Sequence, residues 1–267
     1  MNQNIKLICM DVDGTMLDAH RFPAPGIQEA IQSAQAQGIR VVLATGRNKP
    51  TMMRLLDILK IRDFFIGSDG AYIANPFTNE VLECRTFPSA DARKLVRIAR
   101  LFNVILFLEH ADWMLCEKVN DKYQWMREKH SYEWQLVPDL EAALPGNPIK
   151  ALVSGGIDEL EKIRAVIHHE INNVQTVWTG PQSVDVLSSG ISKGSAIRKL
   201  AKHFGIPLEQ VLAIGDGLND IEMLQAAGIG VAMGNAHVDL KASANVVAPS
   251  NEDGGAAWAI QRFALKR

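Results

Sequence analysis

Ile5-Lys6-Leu7-Ile8-Cys9-Met10-Asp11-Val12-Asp13-Gly14-Thr15-Met16-Leu17 decides how the rest of the chain is read. A short apolar run breaks off into Asp11, Val12, Asp13, Gly14 and Thr15. The run suits a buried strand, and Gly14 suits the turn that follows. Two carboxylates, two residues apart, then leave the C-terminal end of that strand. In open α/β sheets ligands bind at that edge. Carboxylates this close repel each other unless a cation or a shared proton relieves them. A hard, oxygen-seeking cation such as Mg2+ is the natural partner. Taken alone, Asp-x-Asp also describes a solvated turn, since surface turns use Asp freely.

Downstream, Pro25 to Gln37 has a proline near its start, Ile27, Ala30, Ile31 and Ala34 at helical spacing, and Gly38 as a stop. Arg40-Val41-Val42-Leu43-Ala44 then reads as a second buried strand. Strand, helix and strand with short joints make a parallel βαβ unit. The second strand exits into Thr45-Gly46-Arg47. A hydroxyl and backbone N–H groups there, beside the exit of the first strand, can bind a phosphate oxygen, although Thr-Gly is also ordinary turn material. Residues 49 to 60 predict a helix with Met52, Met53, Leu55, Leu56 and Leu59 on its apolar side. Phe64 to Gly67 is a third short strand, and Asp69 in the turn at its exit is a turn former or a rim residue.

From about residue 81 parallel-strand signals give way to amphipathic helices and alternating stretches. Helices are expected over Ala90 to Phe102, Tyr123 to His130 and Ile157 to Ile171. Strands are expected over Val104 to Leu108, Trp113 to Glu117, Ile149 to Ser154, Val174 to Trp178 and Ser183 to Leu187. This reads as an inserted α/β domain of roughly a hundred residues. Trp113, Trp125, Trp134, Trp178, Tyr123 and Tyr132 concentrate here. Rings in this setting fill the insertion's own core more readily than they line a pocket. His168 and His169 fall late in a helix and read as its solvated end.

Ser192 is a candidate N-cap for a helix that runs to about Phe204, with Lys193 in its first turn. A lysine there opposes the helix dipole, a cost that makes sense if Lys193 answers a local negative charge. Val211 to Ile214 is another buried strand, followed by Gly215-Asp216-Gly217-Leu218-Asn219-Asp220. This second acidic cluster again lies at a strand exit and a helix start, where Asn219 or Asp220 can also serve as a cap. Gly230 to Met233 and Asn245 to Ala248 add two strands, with helices over Ala236 to Ala242 and Gly255 to Ala264.

The 267 residues allow one large domain or two modest ones. With 28 basic and 30 acidic residues the formal charge is −2, which gives no bulk electrostatic reason for a nucleic-acid or membrane partner. Cys9, Cys84 and Cys116 are widely spaced and read as buried or inert thiols in a reducing cytosol. No signal peptide and no run of about 18 apolar residues is present, so a soluble cytoplasmic protein is expected.

Together the clusters set carboxylates for a cation (Asp11, Asp13, Asp216 and Asp220) on one sheet edge with a hydroxyl and a lysine for an anion (Thr45 and Lys193). That combination fits phosphoryl transfer, in which catalysis is mostly positioning and charge neutralisation. In this order the four motifs resemble those of the haloacid dehalogenase superfamily, and more narrowly its Cof-type sugar-phosphatase branch. Asp11-Val12-Asp13-Gly14-Thr15 resembles the first motif, Thr45-Gly46-Arg47 the second, Lys193 the third and Gly215 to Asp220 the fourth. The resemblance implies a Rossmann-like doubly wound parallel sheet core from residues 1–80 and 188–267. An α/β cap that sets specificity would be inserted over residues 81–187.

The resemblance further implies Asp11 as nucleophile, forming an aspartyl-phosphate, and Asp13 as general acid and then base. Mg2+ would be held by Asp11, the backbone carbonyl of Asp13, and Asp216. Val12, Thr45, Gly46, Lys193 and Asn219 would hold the phosphoryl group, with Asp220, Asp69 and Arg47 in support. Asp220 would orient Lys193 or a metal-bound water. Relatives often carry Asn where Asp69 stands, which puts a charge at the rim of the site. The substrate implied is a small phosphorylated metabolite, either a sugar phosphate or a phosphorylated cofactor. Two alternatives share the pocket: a phosphomutase or phosphotransferase, and a non-enzymatic phospho-acceptor switch or ligand sensor. Asp13 argues for turnover, because a switch does not need it.

Overall fold

Leu7 to Met10, buried at every position, form a strand of the kind the sequence predicts, with neighbours on both sides. The computed structural model describes residues 4–130 and 134–265, so Tyr132 lies outside the described residues. The chain begins with β1 (Leu7–Met10), α1 (Ile27–Ala36), β2 (Arg40–Leu43), α2 (Lys49–Leu59), β3 (Phe65–Gly67), β4 (Tyr72–Asn75) and β5 (Glu80–Cys84). It continues through α3 (Ser89–Leu101), β6 (Ile105–Glu109), β7 (Met114–Cys116), α4 (Asp121–His130), β8 (Gln135–Leu136), α5 (Leu140–Ala143), β9 (Lys150–Ser154), α6 (Ile157–Glu170), β10 (Val174–Gly180) and β11 (Ser183–Ser188). It ends with α7 (Lys193–Phe204), β12 (Val211–Gly215), α8 (Ile221–Ala226), β13 (Ile229–Ala232), α9 (Val238–Ser243), β14 (Val246–Val247) and α10 (Gly255–Phe263). Among the described residues no helix is long and apolar enough to cross a membrane.

Two compact units result. One comprises the chain up to Gly46, Leu55–Leu82 and the chain from Ser192; the other comprises Arg47–Arg54 and Glu83–Ile191. The first is built on a parallel sheet in the order β14-β13-β12-β1-β2. Its strands are continuous apolar runs, as strands covered on both faces must be. Helix α1 packs with α10, and α7 packs with α8, which also lies on β12 and β13. The chain leaves β1 toward β2 on one side and returns to β12 on the other. The winding therefore reverses beside β1, and the exits of β1 and β12 flank the reversal where α/β sheets open a crevice.

Residues 64–67 were expected as one more strand, and β3 does meet this sheet through a parallel bridge between Ala44 and Ile66. Its main partner, however, is β4, antiparallel, in a separate sheet of β3, β4 and β5. The sequence reading had no β4, because the four residues Tyr72 to Asn75 after a glycine turn are too few to carry a period of their own.

The second unit holds a six-stranded sheet in the order β10-β11-β9-β6-β7-β8. Leu106, Leu108, Ala151, Val153, Val184 and Val186 join a core with α3 and α6, while Phe107 and Leu152 join a smaller one with Tyr123 and Trp134. Those two rings therefore fill core. Trp113 and Trp178 pack partly buried on the larger cluster, and Trp125 is exposed. His168 and His169 are exposed at the end of α6, as expected. Cys9 and Cys116 are buried, but Cys84 is exposed, because β5 carries little burial along its length.

One close approach fixes the helix that carries Lys193. A Cβ on Gly194, in the first turn of α7, would lie 2.5 Å from the Glu222 carbonyl oxygen in α8. A backbone oxygen cannot yield as a flexible side chain can. Gly194→Ala should therefore separate α7 from α8 and cost about 1–3 kcal/mol, as overpacking does. Urea-denaturation midpoints of the two proteins check this.

Candidate active site

Asp11 is the first residue past β1, and its N–H donates to the Ile214 carbonyl of β12 at 2.9 Å. That bond sets its buried carboxylate at the point where the winding reverses. Asp216 is the first residue past β12. Its Oδ1 accepts from the Thr15 hydroxyl at 2.8 Å. Between them runs Gly14, with φ 79° and its Cα against the Asp216 carboxylate; a Cβ would lie 2.8 Å from Asp216 Cγ. Only glycine meets both conditions, so the turn inferred from Gly14 also makes room for the second carboxylate.

Lys193 reaches in from the N-terminus of α7, 1% exposed. Its Nζ donates to Asp11 Oδ1 at 2.6 Å and to Asp220 Oδ1 at 2.7 Å. The Ser192 hydroxyl accepts from the Ser195 N–H and donates to Glu222, and the Ser195 hydroxyl accepts from the Ser192 N–H, which closes a capping box. Asp220 Oδ2 accepts from the N–H groups of Asp216 and Gly217, both at 3.0 Å. Asp220 is thus neither a simple helix cap nor a ligand to spare: one oxygen braces Lys193 and the other braces the loop that carries Asp216.

The remaining residues named from the sequence fall as follows. Thr45 is buried one residue beyond Ala44, whose N–H donates to Met10. Gly46 lies against Asp69, with room for no more than a tight Cβ. Asp69 was expected as a turn former or a rim residue. The structure buries it in a short turn with left-handed backbone at Ser68 and Asp69, where its Oδ1 accepts from the Asn219 amide at 2.9 Å. Its carboxylate thereby orients Asn219. Val12 is fully buried, and its carbonyl accepts from the N–H groups of Met16 and Leu17. Asp13 points outward, with its side chain 45% exposed and 3.8 Å from Arg21. Arg47 falls in the second unit.

Carboxylate oxygens of Asp11, Asp216 and Asp220 lie within 4.8 Å of one another, a grouping able to hold a metal ion. With both Asp220 oxygens engaged, Asp11 and Asp216 are its natural side-chain donors, and they are hard oxygens of the kind Mg2+ takes. Burial pushes the Asp11 carboxyl well above its ordinary range; Lys193 pulls it down, while Asp220 and Asp216 push it up. Burial also raises Asp216 to about 6, against the hydrogen bond from Thr15. Burial alone would lower Lys193, but the charges of Asp11, Asp220 and Asp69 outweigh it and hold the ammonium protonated. The site therefore carries more negative charge than Lys193 answers, as a cation site should.

Sequence reasoning assigned no role to Thr15, which orients Asp216, or to Asn235, whose amide donates to the Gly14 carbonyl at 2.8 Å. It also passed over Asn251, whose amide donates to the Leu17 carbonyl at 2.8 Å. An asparagine bonding to distant backbone leaves no local pattern. Thr15, directly after Gly14, could have been found from its position at the strand exit.

A family model described as haloacid dehalogenase-like hydrolase matches residues 8–260. The chain is 30% identical to the 5-amino-6-(5-phospho-D-ribitylamino)uracil phosphatase YcsE of Bacillus subtilis, over 98% of this chain and 97% of that protein. It is 28% identical to the pyridoxal phosphate phosphatase YbhA of Escherichia coli, over 92% and 94%. Among solved structures it is similar to the subclass IIB sugar phosphatase BT4131, with a TM-score of 0.86, 26% identity, and 97% and 98% of the two chains covered.

Lys193→Met would leave Asp11 and Asp220 buried without their shared cation. Breaking a buried ion pair in this way costs about 3–5 kcal/mol. The loss should be largest near neutral pH and should shrink as acid protonates the carboxylates. Denaturation at pH 7.5 and pH 5 measures both.

Proposed function

The chain belongs to the haloacid dehalogenase-like hydrolases and is a phosphatase of that family, and we propose that it hydrolyses small phosphomonoesters with Mg2+ through an aspartyl-phosphate on Asp11. The observation that carries this reading is the Lys193 ammonium held between Asp11 and Asp220 at 2.6 and 2.7 Å, with Asp216 beside them. Such a lysine screens the charge of one carboxylate and leaves that carboxylate an uncommitted oxygen for attack.

Asp11 attacks the phosphorus, the ester P–O bond breaks, and Asp13 gives the leaving oxygen a proton. Asp13 then takes a proton from the water that attacks the aspartyl-phosphate, which releases phosphate and restores the Asp11 carboxylate. The exposure of Asp13 suits a group that must meet both alcohol and water. Lys193, Asn219, Thr45 and the N–H groups of Val12 and Gly46 hold the phosphoryl oxygens. Asp11, Asp216 and the Asp13 main-chain carbonyl would hold Mg2+, which when bound offsets the repulsion between an anionic nucleophile and an anionic ester. Residues of the inserted unit contribute to specificity. The substrate class is sugar phosphates or phosphorylated cofactors, in keeping with the names of the relatives. Unpaired thiols at Cys9, Cys84 and Cys116 fit a cytoplasmic setting.

Phosphate release from a panel of small phosphomonoesters tests the reading. Turnover should require Mg2+, stop on chelation, and be abolished by both Asp11→Asn and Asp13→Asn. Release that survives Asp11→Asn excludes the aspartyl-phosphate. An Asp11 that becomes phosphorylated with no release at all turns the reading toward a mutase or a switch.

A second outcome follows from Asp216. Its carboxyl, raised to about 6, is mostly ionised above that pH and mostly protonated below it. A proton there competes with the cation, so apparent Mg2+ affinity should fall as the pH drops through about 6, by at least roughly tenfold per pH unit well below it. Mg2+ titrations of activity at pH 5, 6, 7 and 8 provide the check.

A further inference from the structure

The sequence assigns nothing to the hairpin that follows Leu17, yet the structure braces it from within and from the far end of the chain. Leu17 bridges Pro23, and the Asp18 N–H donates to the Phe22 carbonyl at 2.9 Å. The Asp18 carboxylate accepts from the N–H groups of His20 and Phe22, both at 2.9 Å, and its carbonyl accepts from the Arg21 N–H at 3.0 Å. From the far end of the chain, Asn251 donates to the Leu17 carbonyl at 2.8 Å and Glu252 accepts from the Ala19 N–H at 2.7 Å. This bracing holds Arg21 at φ 64°, a left-handed backbone that a non-glycine residue seldom takes.

The side chain held there is underused. Its Nη1 lies 3.8 Å from Asp13 Oδ1, and among the described residues the guanidinium makes no hydrogen bond. Arg100 shows the contrast, with its guanidinium bonded to both Glu117 and Asp139. Five N–H donors in a planar fork, 35% exposed, remain open to solvent. A surface ion pair alone contributes little, and so much bracing is more than such a pair needs.

We propose that Arg21 reads the leaving group by binding a carboxylate on the alcohol portion of the phosphomonoester. This rests on the assignment of Asp13 as the acid that protonates the leaving oxygen. A group hydrogen-bonded to Asp13 Oδ1 lies no more than about 7 Å from Arg21 Nη1, given ordinary hydrogen-bond lengths. That span matches a carboxylate two carbons beyond the ester-bearing carbon. A guanidinium carries only donors and pairs with carboxylates in two parallel, charge-assisted bonds, which a hydroxyl cannot match. Arg21 is thus a specificity residue on the core unit, and the substrates it favours are phosphorylated hydroxy acids.

The matched pair 3-phosphoglycerate and glycerol 3-phosphate isolates the carboxylate, with p-nitrophenyl phosphate as a third ester. With Mg2+ present, Arg21→Ala should lower kcat/KM for 3-phosphoglycerate at least about tenfold, mainly through KM, and for glycerol 3-phosphate less than about threefold. Arg21→Lys should recover part of the loss. Equal losses on both esters would make Arg21 merely structural and overturn the proposal. So would an undiminished rate on 3-phosphoglycerate, or an unsubstituted protein that cleaves the other two esters but not this one. No phosphate from any of the three would instead defeat the phosphatase reading and take this inference with it.

Discussion

A single ammonium group, Lys193 Nζ, stands between two buried carboxylates, and the site is arranged to keep it there. Withdrawing a lysine and two aspartates from water is costly, and mutual attraction repays that cost only with close geometry and every remaining atom satisfied. The surrounding residues supply that geometry. The capping box sets where α7 starts, Gly194 lets α7 close on α8, and Asp220 spends its second oxygen on two backbone N–H groups. Thr15 and Gly14 do the same for Asp216 from the opposite side.

The electrostatic result is a site that is negative overall before any substrate arrives. Proton affinity is raised at both Asp11 and Asp216. Such a site repels an anion unless a cation offsets its carboxylates. Asp69 adds to the imbalance. It spends its charge on orienting Asn219 rather than on a ligand, so a carboxylate can stand there without touching the phosphoryl group.

Much of the core was legible because parallel strands covered on both faces are continuous apolar runs, and β1, β2, β12, β13 and β14 all have that form. Lys193 was legible for a different reason, since its place in a helix's first turn is unfavourable without a local anion. Asp69 stood open between turn former and rim residue because neither its burial nor its left-handed backbone is written in the tripeptide around it. The hairpin after Leu17 escaped because its braces, Asn251 and Glu252, lie more than two hundred residues away. Asp220 stood open between cap and brace until its oxygens could be assigned, one to Lys193 and the other to the loop before it.

The order β12-β1-β2 has a consequence for biosynthesis. The strand that leads into Asp11 is synthesised about two hundred residues ahead of one of its two sheet neighbours, which begins at Val211. Until then β1 has an open edge on that side, and Asp11 lacks Lys193 and Asp220. Contacts of such sequence separation form slowly, because loop closure must precede them. While the chain between β1 and β12 is being made, the central strand is half paired, with an exposed edge open to wrong partners. The buried cluster of Asp11, Lys193 and Asp220 can therefore close only after α7 and the loop that carries Asp220 have been made.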